Sequence, residues 1–402
     1  MRPAVVGLVL GLLFVPNADA RPAKPVPPAA STAATDNPPG YDFTPVARAL
    51  FAVAACGGGE PPAGFPSAYL AKHCKQVTAV QDEYKERWVA KARPWFAEKV
   101  PANVPKKVVY PFAGGDLSTA LTVYPDADEI TTMSLEPSGD PRTLEALLAS
   151  KPSKARSNPA LEKAMQTIHS ELRFLYRVNF SNTMNMIDAM RAGRLPTQLS
   201  FGLSALKVHG FEIVSLRYFQ LDEQGQIVYL TDADLAKAPP VDSGKAEARN
   251  RVFANAELRF RKPGGRVQIY RHIQVNLDDK HTKADPRVIK HLESKGPIAA
   301  MTKAASYLLT WPGFSNIRNY LLGNAVWMVS DATGIPPKYG KEKGFEYETY
   351  GAFQTPHIGG GQQDWRAEWE AQPRRPLPFR FGYHDGSKNH TNHLVIMRKR
   401  AM

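Results

Sequence analysis

The chain has 402 residues, of which 43% are hydrophobic and 22% are charged. Lys and Arg outnumber Asp and Glu by 51 to 38, and this excess favours contact with anionic surfaces such as acidic glycans or lipid head groups. The basic residues are dispersed, so they give no specific signal for nucleic-acid binding.

Residues 1–20 have the pattern of a secretory signal peptide. Arg2 precedes an apolar run at residues 5–15, and Ala18-Asp19-Ala20 is a small-residue cleavage site. The run is about 11 residues long, short of the roughly 20 that span a bilayer, and no later apolar segment is long enough either. We therefore predict an exported chain, periplasmic or extracellular, without a transmembrane segment once mature.

Residues 21–42 are rich in Pro, Ala, Ser and Thr without an apolar period, which predicts a disordered tether. Residues 43–105 are predicted to be helical. Thr44 precedes Pro45 and is expected to cap a first helix. A second helix is predicted because apolar residues recur every three or four positions, at Val77, Val80, Tyr84, Trp88 and Trp95. It is expected to end or kink at Pro94, because proline lacks a backbone N–H.

The chain contains two cysteines, Cys56 and Cys74. Pairing is the expected state of two nearby thiols in an exported protein, because the compartment is oxidising. We predict a disulfide that closes the Gly/Pro-rich loop between them.

Residues 106–402 are predicted to form an α/β core with appended antiparallel β hairpins. Strands are predicted at "KKVVYPF" and "EITTMSL", with a helix between them, as in parallel α/β units. Asn158 and Pro159 begin a further helix, and another is expected at 184–191. Hairpins are predicted for "FEIVSLRYFQL" with "QIVYL" and for "VFANAELRF" with "RVQIYRHIQV". Helical segments are expected near 299–309 and 317–322, followed by the strands "AVWMVS", "FEYETY" and "HLVIMRK".

The strand Val108–Phe112 is followed by Gly114, Gly115 and Asp116, and the next strand leads to Glu136, twenty residues beyond Asp116. Open α/β sheets bind ligands at the carboxyl ends of their strands. In nucleoside- and dinucleotide-binding folds, a carboxylate at this spacing holds ribose hydroxyls. These four residues are the candidate ligand site.

This stretch resembles the first β-α-β unit of class I S-adenosylmethionine-dependent methyltransferases, which implies a Rossmann-like core. It departs from that family because "PFAGGD" lacks the usual spaced glycines and Pro111 occupies the end of the strand. With "LEPSGD" and "DATGIP", the sequence "YPFAGGD" also resembles a group of exported bacterial proteins with a YPF-x-G-x-D signature, which has no established activity.

The C-terminal sequence contains His384, Asp385, His390 and His393, residue types that bind zinc. His390 and His393 are three residues apart before a strand, where such positions point to opposite faces. We therefore expect solvated turn histidines and assign no metal.

Two classes of function fit these observations, and no cofactor or reaction is assigned. The first is an enzyme or a binder of a small polar ligand at Gly114, Gly115, Asp116 and Glu136, with a working methyltransferase as its less favoured form. The second is a non-catalytic, basic envelope protein that holds an anionic glycan or a lipid surface. Whether Asp116 and Glu136 share one pocket or are paired within the protein distinguishes the two.

Overall fold

The computed structural model describes residues 36–150, 158–178, 195–353, 362–382 and 392–400. The predicted signal peptide, most of the predicted tether and the helix expected at 184–191 lie outside these residues. Within them, no helix is both long enough and apolar enough to cross a membrane.

Ten strands form one sheet in the order β4-β3-β5-β6-β2-β1-β7-β8-β10-β9. In chain order they are β1 (Lys107–Pro111), β2 (Glu129–Ser134), β3 (Glu212–Leu221), β4 (Ile227–Tyr229), β5 (Asn255–Arg261), β6 (Gln268–Gln274), β7 (Ile298–Thr302), β8 (Ala325–Ser330), β9 (Phe345–Gly351) and β10 (His393–Lys399).

The five central strands, β6-β2-β1-β7-β8, are mutually parallel, and the flanking strands pair antiparallel. β1 and β2 pair from Lys107 with Glu129 to Pro111 with Met133, which confirms the predicted parallel unit. Both predicted hairpins are present. They are not separate additions, because β6 is also the parallel neighbour of β2 and joins them to the central sheet.

The helices are α1 (Thr44–Val53), α2 (Ser67–Tyr84), α3 (Ala90–Lys99), α4 (Leu117–Val123), α5 (Thr143–Ala149), α6 (Pro159–Val178), α7 (Thr197–His209), α8 (Asp232–Lys237), α9 (Ala246–Val252), α10 (Asp279–Ala284), α11 (Arg287–Glu293), α12 (Ser315–Asn324), α13 (Pro337–Glu342) and α14 (Gln362–Glu370). A π-helical turn, Lys85–Val89, joins α2 to α3, and a 3₁₀ turn, Ala304–Thr310, follows β7.

Two apolar cores lie on opposite faces of the sheet, because alternate residues of each strand point to opposite sides. Val108 and Tyr110 contribute to the core that α1 to α7 cover. Val109 contributes to the other core, which α11, α12 and α14 cover. The central strands are buried on both faces and are therefore continuous apolar runs in the sequence.

The N-terminal helical region differs from its prediction at the start of α1. Thr44 does not cap α1: it is the first helical residue, no side chain caps the helix, and the backbone N–H of Thr44 donates to the carboxylate of Asp42 at 2.9 Å. Of the two outcomes predicted at Pro94, an end or a kink, the helix does not end there, since α3 continues to Lys99. Pro94 removes one backbone donor from α3, and the π-helical turn immediately before α3 already departs from regular α-helical bonding.

The prediction of a helix beginning near 299 is wrong, because Ile298–Thr302 is the parallel strand β7. A short apolar run that is buried on both faces has no period to distinguish a strand from a buried helix. The helical part begins only with the 3₁₀ turn at Ala304.

Cys56 and Cys74 form the predicted disulfide, with their Cα atoms 5.4 Å apart. The bond joins the segment after α1 to α2. At the other end of α1, the described part of the predicted tether is held against β3, where the guanidinium of Arg217 donates to Asp42 and to the Pro38 carbonyl oxygen.

Candidate functional site

The candidate site lies at the carboxyl edge of the parallel strands. Gly114, Gly115 and Asp116 follow β1, Glu136 follows β2, and Lys303 follows β7. β1 lies between β2 and β7, so the loops that follow these three strands meet at one edge of the sheet. All five residues are buried.

Asp116 is fully engaged by groups of the protein. Its Oδ1 caps α4 by accepting from the hydroxyl and the backbone N–H of Thr119, at 2.6 and 3.4 Å. Its Oδ2 accepts from the Tyr110 hydroxyl at 3.1 Å and from Lys303 Nζ at 2.7 Å. Burial, and then the negative charge of Asp116, raise the pKa of Tyr110 well above 10.0, so this phenol remains a donor.

Lys303 is fully buried, and Asp116 is its ion-pair partner. Its ammonium also donates to Thr119 Oγ1 at 3.2 Å and lies 5.4 Å from the centre of the Phe381 ring. Sequence analysis missed Lys303 because β7 was predicted as a helix, which hides that Lys303 follows a parallel strand. A lysine directly after a short apolar run is the signal that would have identified it.

The glycine loop is covered by α7. Gln198 Nε2 donates to the Gly114 carbonyl oxygen at 2.6 Å. A Cβ atom built on Gly115 would lie 2.1 Å from Cδ2 of Phe201, so the aromatic ring fills the space directly over this glycine. The glycines therefore allow close packing of α7 against the loop.

Glu136 is in the opposite situation. Its side chain has no exposed surface, and neither carboxylate oxygen has a hydrogen-bond partner among the described residues. Three other buried polar atoms also lack hydrogen-bond partners among the described residues. They are Oγ of Ser134 and of Ser138, two residues either side of Glu136, and Oε1 of Gln198, whose Nε2 bonds Gly114. A carboxyl group buried without a hydrogen-bond partner costs free energy, so the unpaired oxygens of Glu136 need an explanation beyond the described residues.

His272 on β6 connects these groups. Its Nε2 donates to the backbone carbonyl of Glu136 at 2.7 Å, which leaves Nδ1 to accept from Gln198 Nε2 at 3.2 Å. Burial lowers the pKa of His272 to about 4, and the bond to Glu136 opposes this only in part. The imidazole is therefore neutral at pH 7 and fixes the backbone that carries Glu136.

The four predicted site residues thus lie at the same edge of the sheet but differ in the contacts that their side chains and backbone make. Asp116 is paired inside the protein, the glycines are packed against α7, and Glu136 keeps its hydrogen-bonding capacity. Neither carboxylate lines the three clefts that we identify in the described parts of the chain.

Of the C-terminal candidates for a metal, His384, Asp385 and His390 lie outside the described residues. The prediction of a solvated turn is wrong for His393, which begins β10 and is buried, and whose Nδ1 accepts from the backbone N–H of Ala332 at 3.1 Å. Residues 331–334 form a turn, with the Thr333 N–H donating to Asp331 at 2.9 Å.

Comparison of the chain with protein-family models, with curated protein sequences and with solved structures finds no significant match.

Proposed function

We propose that this chain is a small-ligand-binding protein with a Rossmann-like core, and that Glu136 pairs with the hydroxyl groups of a nucleoside-type ligand. The observation that carries this proposal is the fully buried Glu136 carboxylate, which no described group of the protein neutralises or hydrogen-bonds. A vicinal diol supplies two O–H donors, which is what two unpaired carboxylate oxygens accept.

The strand order supports a Rossmann-like core. When the parallel strands β6-β2-β1-β7-β8 are numbered in chain order, they give the sequence 3-2-1-4-5. This is the order of doubly wound dinucleotide-binding sheets, whose ligands lie where the order reverses, at the carboxyl ends of the strands. Glu136 follows β2, the position at which such folds hold ribose.

The glycine loop argues against a phosphorylated or methyl-donating ligand. Phosphate binding after the first strand requires free backbone amides and open space, but Phe201 fills the space over Gly115. Asp116 is already bound to Lys303, Tyr110 and Thr119. These residues do not fit S-adenosylmethionine at the loop, and we derive no methyl transfer from them.

The test is titration calorimetry with adenosine and with 2′,3′-dideoxyadenosine as probes. Adenosine should bind, and the dideoxy analogue should not, because it lacks the diol. Since Glu136 has no exposed surface, binding requires local opening, and association should be slower than the usual 10⁵–10⁷ M⁻¹s⁻¹ or so of unhindered docking.

Glu136→Gln should abolish adenosine binding, whereas Glu98→Gln, on the exposed face of α3, should not change it. Equal affinity of both nucleosides, or an unchanged affinity of Glu136→Gln, would contradict the proposal.

The disulfide supports the predicted export, which secretion of the full-length chain with loss of residues 1–20 would test.

A further inference from the structure

A second candidate site lies away from Glu136, in a cleft of about 820 Å³ between α2, the π-helical turn, α6 and residues 377–380. Five cationic side chains line it: Arg87, Lys91, Arg173, Arg177 and Arg380. Glu83 is the single carboxylate among the described lining residues. We refer to this feature as the cationic cleft.

Most of the positive charge of the cationic cleft has no compensating carboxylate among the described residues. Glu83 forms an ion pair with Arg87, one turn away. In the part of the chain that the structure describes, no carboxylate lies within ion-pair distance of the other four cations. Burial, followed by the positive charges of Arg87 and Arg177, lowers the pKa of Arg380.

The floor of the cleft is a stack of aromatic rings. The Tyr84 ring lies nearly parallel to Trp88 at 5.4 Å and to Tyr176 at 4.4 Å between centroids. Trp88 Nε1 donates to the Arg380 carbonyl oxygen at 2.6 Å, and the Tyr176 hydroxyl shares a hydrogen bond with Ser204 at 2.9 Å. These bonds hold the floor in place and bring Arg380 to its edge.

The π-helical turn at Lys85–Val89 carries both Arg87 and Trp88. Such turns are rare within α-helices and occur frequently at functional sites, because they change the direction of side chains along one helix. Here the turn places one cation and one aromatic floor residue in the same cleft.

We propose that the cationic cleft binds a phosphate-bearing ligand, with its phosphate on the arginines and its less polar part on the aromatic floor. Planar guanidinium groups match phosphate oxygens in pairs, and several of them together favour a group of more than one negative charge. The proposal goes beyond the nucleoside site, since it uses none of the residues around Glu136. A phospholipid head group and a free phosphate ester share this chemistry.

The first measurement is titration calorimetry with inorganic pyrophosphate at low salt. Arg173→Gln/Arg177→Gln removes two exposed cations one turn apart on α6 and should weaken binding by about tenfold or more. The matched control is Lys72→Gln/Lys75→Gln, which removes the same charge from exposed positions of α2 outside the cleft and should leave the affinity within about twofold. Arg380→Gln provides an independent variant, and thermal unfolding of each protein confirms that it is folded.

Two further arms identify the source of the phosphate. If vesicles of equimolar phosphatidylglycerol and phosphatidylcholine bind and pyrophosphate displaces them, the ligand is a lipid head group. If pyrophosphate binds and the vesicles do not, it is a free phosphate ester. Trp88→Phe should remove the change in tryptophan fluorescence that accompanies pyrophosphate binding.

The proposal is overturned if both double variants weaken pyrophosphate binding equally, because the attraction would then be that of the general surface charge. It is also overturned if neither pyrophosphate nor the vesicles bind, including the case in which only polygalacturonate, an acidic polysaccharide without phosphate, is bound. Adenosine titration of the same variants separates this outcome from failure of the nucleoside site, which none of these substitutions touches.

Discussion

The ammonium of Lys303 lies 2.7 Å from Oδ2 of Asp116 and joins the loop after β7 to the loop after β1. The strand order reverses between these two strands, at the position where open α/β sheets bind their ligands. Both side chains are almost completely buried, so this ion pair occupies the position between the two loops where a ligand would otherwise bind.

Asp116→Asn should therefore destabilise the fold by about 3–5 kcal/mol, because it leaves the Lys303 charge buried without an ionic partner. Urea unfolding measures the change. Asp126→Asn, at an exposed position, is the control and should have little effect. The double variant Asp116→Asn/Lys303→Met should recover part of the loss. If Asp116→Asn leaves stability unchanged while removing nucleoside binding, Asp116 belongs to the binding site instead.

Glu136→Met should raise the free energy of unfolding of the ligand-free protein by about 1–3 kcal/mol, since it removes two buried oxygens that lack partners in the described residues. The same variant should gain no stability from adenosine. Chemical unfolding with and without adenosine measures both effects. A lower stability of Glu136→Met would mean that Glu136 is satisfied within the folded chain and is not held for a ligand.

Cys74→Ser should reduce the free energy of unfolding by about 3 kcal/mol in oxidising buffer, because the bond restricts the unfolded chain over a separation of 18 residues. In the presence of a reductant, the two proteins should unfold alike. Equal stability in oxidising buffer would show that the bridge does not contribute to the fold. Alkylation followed by mass spectrometry establishes the thiol state in each sample.

The stability of the protein should fall as the pH decreases from 6.5 towards 4. Burial lowers the pKa of His272 to about 4 from 6.5, so between these pH values His272 is protonated in the unfolded chain and neutral in the folded protein. The contribution of His272 is thus present above pH 6.5 and is lost at about 1.4 kcal/mol per pH unit as the pH falls. His272→Gln should reduce this slope by that amount, and unfolding curves across the interval measure it. An unchanged slope would contradict the buried, neutral state of His272.

Local patterns in the sequence are sufficient to predict the first parallel strands, the turn between them and the disulfide. The run Val108–Phe112, the break at Gly114-Gly115 and the spacing to Glu136 predict a strand, a turn and a second parallel strand, because these depend on periodicity and on local backbone preference. The pairing of Cys56 with Cys74 also follows from the sequence, since only two cysteines exist and few residues separate them.

Only the tertiary structure shows that Asp116 is paired and that Glu136 has no partner among the described residues. Lys303 and Asp116 are 187 positions apart in the chain. β2 and β6 are neighbours in the sheet although β3, β4 and β5 lie between them in the sequence. The cationic cleft likewise joins α2, α6 and Arg380 from three distant segments. Such contacts depend on which strands become neighbours, and that is fixed by the packing of the whole sheet and not by any local pattern.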